Sequence, residues 1–344
     1  MADPHAKNAK SNPALLLRMP KVPRQALLAV CAALLPLLAG CVSSPPSGPS
    51  SNGDGAIDDG DAGPGGSAQA VASCPEASET GRPLSKGQVT VRREGGKYRA
   101  ERTDSGSLQI PRGLPVASRL GSVNGDVQQA SGSSQGLVAH LWARGDTEQE
   151  ARARLDTVRV DFTADAGSVF TLTAMVRTSN PSSNAWSERG GSLAATVPSG
   201  TAFCNAKLTT TNGDASSHAL AVAARETTTT NGDVEATGAV PSWTGRTTNG
   251  DADGDLTASA SGWIDLSTTN GEVDVTLRLA ASHGIDATAS TTNGDATLSF
   301  AGASPIGSQS ETSAHVRTSD YSAKAVQTEL KLRSTNGDVT AGDG

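Results

Sequence analysis

The sequence predicts an all-β protein, organised as a parallel β-solenoid-like repeat domain with turns of about 20 residues and one short capping helix. Three observations predict this fold: a recurring Thr-Thr-Asn-Gly-Asp motif, an alternation of apolar and polar residues after each copy, and an interior of small side chains. A period of about 20 residues is typical of stacked arrays, in which each repeat buries its apolar face against its neighbours.

The repeat motif has its fullest copy at residues 227–234, Thr-Thr-Thr-Thr-Asn-Gly-Asp-Val. Thr favours a pleated, half-buried strand, and Asn-Gly accepts the positive φ that a tight turn needs. Successive copies from Asn212 onward lie 19, 18, 21 and 23 residues apart, and a last interval of 43 residues is about two repeats long. The predicted structural turn residues are Asn212, Gly213, Asp214, Asn231, Gly232, Asp233, Asn249, Gly250, Asp251, Asn270, Gly271, Glu272, Asn293, Gly294, Asp295, Asn336, Gly337 and Asp338.

Two further segments carry parts of the motif. Asn124, Gly125 and Asp126 form an outlying copy well before the others. Residues 317–320, Arg-Thr-Ser-Asp, lie within the 43-residue interval where a degraded copy would fall. We interpret this second segment as the copy that is missing from the interval.

Residues alternate between two faces after each copy of the motif. Val273, Val275 and Leu277 point one way, while Asp274 and Thr276 point the other. Asn-Gly between alternating strands also predicts hairpins, so an antiparallel β-meander or sandwich is the alternative fold. A solenoid is favoured because it needs one identical corner per turn. Its narrow interior also suits a chain with only 3% aromatic residues.

Residues 1–40 are predicted to be a lipoprotein signal peptide. Lys21 and Arg24 precede an apolar run at 26–38 that is too short to span a bilayer as a helix. The run ends in Leu-Ala-Gly followed by Cys41, which resembles the lipobox of bacterial lipoproteins. The resemblance implies that Cys41 becomes the N-terminal residue and receives lipid chains.

The long stretch before the apolar run makes Met19 an alternative start of the chain. After the signal peptide, residues 41–84 are rich in Ser, Pro, Gly and Asp, and we expect them to form a disordered tether. Beyond the signal peptide and Cys41, two cysteines remain, Cys74 and Cys204. An exported protein in an oxidising compartment favours a disulfide between them, with two unpaired thiols as the alternative.

Residues 85–200 are predicted to be an irregular β region with one short helix, followed by the repeat array at 201–344. The helix is predicted over about residues 147–155, with Asp146 or Thr147 as its N-cap and acidic residues in its first turn. Such a helix is expected to cover a sheet edge or an end of the array. Predicted strands include residues 88–92, 137–142, 158–162 and 169–176.

The array resembles a known family at residues 196–200, Thr-Val-Pro-Ser-Gly, and at the Thr-Thr-Asn-Gly-Asp copies that follow. It is similar to the bacterial putative-adhesin family of β-strand-repeat envelope proteins, a domain-of-unknown-function family, over about residues 120–344. The resemblance implies a right-handed β-solenoid-like domain at the cell envelope and brings no catalytic residues. The chain departs from the family in the long interval from Asn124 to Asn212 and in the missing copy before Asn336.

The chain offers few groups for chemistry. Its formal net charge is −7, although residues 1–40 carry five Lys or Arg and one Asp, so the segment from Cys41 is more acidic still. This balance argues against nucleic acid as a partner. The histidines are interpreted as isolated surface or strand residues, and we expect no metal and no cofactor. They are His140, His218, His283 and His315.

If the turns stack, their acidic residues form a column with a spacing of about 4.8 Å. The carboxylates are expected to accept hydrogen bonds from turn amides, with cation binding as the alternative. The Asn side chains are expected to form a hydrogen-bonded ladder beside them. The predicted column comprises Asp214, Asp233, Asp251, Glu272 and Asp295.

Taken together, these features predict a non-enzymatic, lipid-anchored cell-envelope protein that presents a β-repeat surface as an adhesin or binding scaffold. Its expected partners are the membrane, through the lipid anchor, and an envelope protein or glycan. Val42 rather than Asp after Cys41 favours the outer membrane. The second hypothesis is a periplasmic structural or envelope-stress module that contacts partner proteins. The third is a polysaccharide-acting β-helix enzyme, for which the candidate sugar platforms are Trp142, Trp186, Trp243 and Trp263.

Overall fold

The computed structural model describes residue 74, residues 82–179 and residues 186–344. Within these ranges the chain is nearly all β, with one α-helix and two large mixed sheets, which confirms the predicted all-β class. The predicted signal peptide at 1–40, Cys41 and most of the predicted tether lie outside the described residues. No helix in the described ranges is long and apolar enough to cross a membrane.

The segment before the repeat array contains nine strands and the helix. The strands predicted at 88–92, 137–142, 158–162 and 169–176 are all found, with bounds shifted by a few residues. The elements are β1 (Arg82–Pro83), β2 (Thr90–Glu94), β3 (Lys97–Gly106), β4 (Val116–Gly121), β5 (Val127–Gly132), β6 (Gly136–Gly145), α1 (Glu148–Asp156), β7 (Val158–Ala166), β8 (Phe170–Thr178) and β9 (Arg189–Pro198).

The following segment contains fifteen strands and one short 3₁₀ turn at Tyr321–Ala323. The strands are β10 (Ala202–Thr209), β11 (Ala215–His218), β12 (Ala221–Val222), β13 (Ala224–Thr228), β14 (Val234–Ala239), β15 (Ser242–Arg246), β16 (Ala252–Thr257), β17 (Gly262–Ser267), β18 (Val273–Arg278), β19 (His283–Ser290), β20 (Ala296–Ser299), β21 (Ala303–Pro305), β22 (Ser313–Thr318), β23 (Val326–Arg333) and β24 (Val339–Asp343).

Helix α1 begins where the sequence predicts. The Thr147 hydroxyl accepts a hydrogen bond from the Glu150 amide at 3.1 Å, and the Glu150 carboxylate accepts one from the Asp146 amide at 2.8 Å. These bonds satisfy two of the backbone donors near the helix N-terminus. Ala151 and Leu155 are fully buried, and the helix packs against β3 and β6.

The strands form two sheets that share one hydrophobic core. Sheet A has the order β1-β7-β8-β4-β10-β13-β15-β17-β23-β19-β22-β21, with β12 also paired to β10. Sheet B has the order β2-β3-β6-β9-β5-β11-β14-β16-β18-β24-β20. Pairing is parallel from β8 to β19 in sheet A and from β9 to β20 in sheet B, and antiparallel towards the outer strands of sheet A and the β2 end of sheet B.

The parallel part of both sheets is built from seven copies of one segment. We call a segment consisting of a sheet A strand, a Ser/Thr-x-Asn-Gly-Asp/Glu corner and a sheet B strand a repeat, and name it by its corner Asn. The first repeat, that of Asn124, pairs in register with that of Asn212, and β4 and β5 continue the sheets that contain β10 and β11. The Asn124 copy therefore belongs to the same stack as the later copies.

The spatial order of the repeats differs from their order in the chain. The corner of Asn270 pairs with that of Asn336, and Asn336 pairs in turn with Asn293. The last repeat in sequence is thus inserted between two earlier ones. The interpretation of residues 317–320 as a degraded copy is wrong, because Arg317 lies on β22, which pairs antiparallel with β19. Residues 300–325 instead carry the hairpin of β21 and β22 beyond the repeat of Asn293.

A disulfide ties the segment before the array to the array itself. Cys74 and Cys204 form this bond, with their Cα atoms 5.9 Å apart. The bond joins residues 130 positions apart and attaches Cys74 to β10. Within the segment before the array, Arg102 and Asp104 on β3 form a buried ion pair, and both side chains are less than 5% exposed.

Candidate functional site

The corner asparagines form a continuous ladder along the stack. In each neighbouring pair, the side-chain Nδ2 of one asparagine donates to the Oδ1 of the next at 2.6 to 2.8 Å. At the first repeat, Asn124 Nδ2 donates instead to the carbonyl oxygen of Arg189 at 2.8 Å. The hydrogen bonds between the asparagine side chains therefore depend on stacking of the corners. The ladder follows the order Asn124, Asn212, Asn231, Asn249, Asn270, Asn336 and Asn293.

A second ladder involves the hydroxyl residue two positions before each corner asparagine. The Thr229 hydroxyl donates to the Gly213 carbonyl oxygen at 2.8 Å, and Thr247 donates to that of Gly232 at the same distance. The same bond recurs at the remaining corners. This contact explains why the motif begins with Thr or Ser. The other donors are Ser122, Thr210, Thr268, Ser334 and Thr291.

The acidic residues of the corners form the predicted column, and most of them accept a hydrogen bond from the backbone amide of the neighbouring corner. Asp214 Oδ1 accepts from the Asp233 amide at 2.9 Å, and Asp251 Oδ1 accepts from the Glu272 amide at 2.8 Å. The predicted column places Asp295 directly after Glu272, but Asp338 lies between them, because the corner of Asn336 is inserted there. The Asp338 carboxylate accepts a hydrogen bond from the Asp295 amide at 2.9 Å. No group of three or more His, Cys, Asp and Glu side chains in the described ranges is arranged to hold a metal ion. These carboxylates therefore link the corner of one repeat to the corner of the next by hydrogen bonds.

The outer face of sheet B carries a row of like charges beside the corners. Glu235, Asp253 and Asp274 lie directly opposite one another on β14, β16 and β18, and all three are exposed. Partial burial of the Asp253 carboxyl and the charges of the surrounding carboxylates, first Asp251 and then Asp274, together raise its pKa to about 6. Adjacent like charges on paired strands are destabilising.

Replacing Asp253 with Asn is expected to stabilise the protein at pH 7.5 by up to about 1 kcal/mol, because it removes a like charge from the row. Because the pKa of this carboxyl is higher in the folded state, its ionisation destabilises the folded protein. The destabilisation develops as pH rises from the unfolded pKa, 3.8, to the folded pKa, about 6. The gain should therefore vanish below pH 3.8. Urea unfolding at both ends of this pH range measures the effect.

Asp255→Asn is the matched control for this prediction, because Asp255 lies two residues along the same strand and forms an ion pair with Arg278. Removing that charge deletes an attraction, so no stabilisation is expected at pH 7.5. Equal stability of Asp253→Asn and the parent protein at pH 7.5 would contradict the repulsion that we assign to this row.

The outer face of sheet A carries charges of both signs, and neighbouring strands pair them. Lys207 on β10 contacts Glu226 on β13 at 2.8 Å, whereas Lys331 contacts Glu329 of its own strand, β23, at the same distance. Asp265 lies between arginines on the two strands beside its own, Arg246 and Arg333. Cross-strand pairs of opposite charge stabilise a sheet, in contrast to the row of acidic residues on sheet B.

This face also holds the large apolar side chains that remain exposed in the described part of the chain. Trp263 on β17 is 42% exposed, and Ile306, directly after β21, is 41% exposed. Trp263 is opposite Glu329 on β23, which is opposite Asp286 on β19. Four strand spacings, about 19 Å, separate the strands of Trp263 and Ile306. We call the surface defined by Trp263, Glu329, Asp286, Arg317 and Ile306 the sheet A patch.

The other tryptophans do not offer open rings. Trp243 is fully buried, and its Nε1 donates to the Thr227 hydroxyl at 2.8 Å. Trp142 is half-buried, with the guanidinium carbons of Arg99 and Arg144 at 5.0 and 5.7 Å from its ring centroid. Trp186 is half-buried as well. Of the four predicted sugar platforms, Trp263 alone is classed as exposed.

Two histidines lie beside carboxylates that the sequence does not indicate. His218 Nδ1 lies 3.8 Å from Glu235 Oε1. His315 Nε2 lies 2.7 Å from Asp286 Oδ1, and Arg317 Nε donates to Asp286 Oδ2 at 2.9 Å. The interpretation of the histidines from His140 onward as isolated is therefore wrong for His218 and His315. His315 and Asp286 are 29 residues apart and meet only because β19 and β22 pair antiparallel. A serine or cysteine nucleophile is not hydrogen-bonded to this histidine in the described residues.

Comparisons with known proteins give structural matches alone. No family model matches the chain, and no curated protein matches it. A crystal structure of a "putative cell adhesion protein" from Clostridium sporogenes ATCC 15579 is 12% identical, with a TM-score of 0.41, and covers 71% of this chain and 100% of that one. A "putative adhesin" from Bacteroides fragilis NCTC 9343 is 11% identical, with a TM-score of 0.28, and covers 71% and 97%. A "putative lipid binding protein" from Parabacteroides distasonis ATCC 8503 is 10% identical, with a TM-score of 0.27, and covers 71% and 96%.

Proposed function

We propose that the protein is a non-enzymatic binding scaffold, anchored to the cell envelope by lipid on Cys41, that presents the sheet A patch to an envelope component or a neighbouring cell. In this proposal the seven repeats form the β-solenoid-like domain, right-handed as the family resemblance implies. The proposed location is the outer membrane, where the domain faces either the periplasm or the cell surface.

The parallel stacking of the repeats supports the solenoid assignment. An antiparallel meander would place successive corners at alternate ends of the sheet, and its neighbouring strands would run in opposite directions. Here the strands of neighbouring repeats run in the same direction in both sheets, and one type of corner recurs at one edge. A single corner ladder of this kind requires one turn of chain per repeat.

The exposure of Trp263 is the observation that supports a binding surface. The few residues that dominate the binding energy of an interface are enriched in Trp, Tyr and Arg. On the sheet A patch the indole is flanked by Glu329, and the patch also includes Asp286 and Arg317. An exposed aromatic ring with polar groups around it resembles the centre and rim of an interface. The flat face of a rigid array holds these groups without a loop rearrangement.

Replacing Trp263 with Ala is expected to weaken binding of the full chain to intact cells or isolated envelopes about 30-fold, as for a dominant interface residue. The same variants should be tested by protease treatment of intact cells, together with Cys41→Ala. Cleavage of the parent protein on intact cells places the array at the surface, and cleavage only after permeabilisation places it in the periplasm. Loss of Cys41→Ala from the membrane fraction supports the lipid anchor.

Thr244→Ala is the matched control, because Thr244 is a half-buried residue on the outer face of the neighbouring strand β15. It should leave binding unchanged, and neither variant should alter the thermal unfolding midpoint much, since both side chains are solvent-accessible. Equal binding by the parent protein and Trp263→Ala would exclude the sheet A patch as the binding surface. Retention of Cys41→Ala in the membrane fraction would exclude the anchor.

A further inference from the structure

The space between the two sheets is divided into layers, one in each repeat. The residue six positions before the corner asparagine, on sheet A, faces the residue five positions after it, on sheet B. In the repeat of Asn124 these are Ser118 and Gln129, whose side chains are hydrogen-bonded at 2.9 Å. In the repeat of Asn249 they are Trp243 and Gly254, and a Cβ on Gly254 would lie 3.0 Å from the indole ring.

The layer with the smallest pair of side chains lies in the repeat of Asn212. Its residues are Ala206 and Ser217, both fully buried. The layers on either side contain much larger residues, Gln129 in the repeat of Asn124 and Arg225 in that of Asn231. Layers are about 4.8 Å apart, so long side chains from the two flanking layers can reach the space beside Ala206 and Ser217.

Three side chains at this level carry buried polar atoms without a hydrogen-bond partner in the described part of the chain. The atoms are Gln129 Nε2, Ser217 Oγ, and Nε and Nη1 of Arg225. Gln129 and Ser217 are fully buried, and Arg225 is 2% exposed. Every one of these atoms can donate a hydrogen bond, and three of the four can only donate. Buried donors require an acceptor, because an unpaired buried polar group is costly.

Arg225 also brings a buried positive charge to this level. Its Nη2 lies 3.4 Å from the carbonyl oxygens of Leu220 and Thr237, and no described carboxylate forms an ion pair with it. Burial lowers the pKa of Arg225 to about 10, so the guanidinium is still protonated at neutral pH. The other buried arginine, Arg102, is neutralised by Asp104 at 2.9 Å. A buried charge without a partner is strongly unfavourable.

We propose that the interior layer of Ala206 and Ser217 binds a small monovalent anion, such as chloride, which is held by Arg225, Ser217 and Gln129. The anion neutralises the guanidinium and accepts hydrogen bonds from the three side chains. The site lies in the core and is independent of the sheet A patch.

Thermal unfolding of the full chain in sodium chloride and in sodium gluconate at equal ionic strength tests this site. A ligand that binds only the folded state raises the unfolding midpoint as its concentration rises. We expect the midpoint to be about 5 °C higher in saturating chloride than in gluconate, with bromide replacing chloride. Arg225→Met should abolish the difference between the two salts. Arg246→Met, which changes an exposed arginine on the neighbouring strand β15, should leave it intact.

Bromide-soaked crystals of the parent protein provide a second measurement that does not depend on folding of Arg225→Met. An anomalous peak within hydrogen-bonding distance of Arg225 Nη1 and Ser217 Oγ is expected. Equal midpoints of the parent protein in chloride and gluconate, or a chloride effect that survives Arg225→Met, would overturn the proposal. Bromide crystals without a peak in this layer would overturn it as well, and would leave water as the partner of these donors.

Discussion

Replacing Gly250 with Ala is expected to destabilise the folded array by more than about 4 kcal/mol, an effect at the upper end for single substitutions. Gly250 has a φ of +149°, and an added Cβ would lie 2.1 Å from the Gly232 carbonyl oxygen and 2.5 Å from its carbon. This backbone conformation is essentially restricted to glycine. The clashing atoms belong to the backbone of the neighbouring corner, so relief would require the two repeats to separate.

Gly200→Ala is the matched control for the corner glycine. Gly200 also has a positive φ, +81°, but no atom lies within 4 Å of the position of an added Cβ. Its substitution should cost only about 1 to 2 kcal/mol, the usual cost of a left-handed conformation. Urea unfolding followed by far-ultraviolet circular dichroism gives both values. Similar losses for the two variants would mean that conformation, and not close stacking of the corners, demands the glycine.

Asp104→Asn is expected to destabilise the protein by about 3 to 5 kcal/mol, because it leaves the buried guanidinium of Arg102 with the exposed carboxylate of Asp156, 3.9 Å away, as its remaining counter-charge. The two carboxylate oxygens of Asp104 share a bifurcated hydrogen bond from Arg102 Nε, at 2.9 and 3.0 Å, and Oδ1 also accepts one from the Gly87 amide at 3.1 Å. Arg102 also donates to the carbonyl oxygens of Leu155 and Val158. The pair therefore joins β3 to the end of α1 and the start of β7.

The control for this second prediction is Asp161→Asn, which removes the same charge from an ion pair at the surface. Asp161 contacts Arg159 at 2.9 Å, but the Arg159 side chain is 53% exposed. Exposed pairs contribute at most about 1 kcal/mol, so the loss in urea unfolding should be correspondingly small. A loss of less than 1 kcal/mol for Asp104→Asn would show that water or backbone rearrangement neutralises Arg102.

Much of the array could be predicted from the sequence because its corner is local. Asn-Gly supplies the turn conformation. The Thr or Ser two positions before the Asn supplies the hydroxyl that donates to the glycine carbonyl oxygen of the neighbouring corner. The Asn ladder and the amide bonds to Asp follow once the corners stack. The alternation that places Val273, Val275 and Leu277 inward is also local, and all three are buried. Helix α1 could be placed to within one residue because Thr147 and Glu150 form its cap.

The remaining features depend on which segments become neighbours, and short-range patterns do not record this. The insertion of the Asn336 repeat beside that of Asn270 brings Glu329 next to Trp263, although they are far apart in the chain. The pairing of His315 with Asp286 depends on the hairpin of β22 in the same way. In the sequence, Arg225 looks like an ordinary polar residue of an alternating strand. The structure places it inward, so its charge is buried.

The inserted repeat has a consequence for the time at which the protein folds. During synthesis the chain emerges from its N-terminal side, so β19 and β20 are available before β23 and β24. Strands β23 and β24 are nevertheless the direct neighbours of β19 and β20 in the two sheets. The repeat of Asn293 therefore has no native parallel partner until residues 326–343 have been delivered. Completion of both sheets waits for this segment, and until then the strand edges of β17 and β18 stay open to incorrect partners.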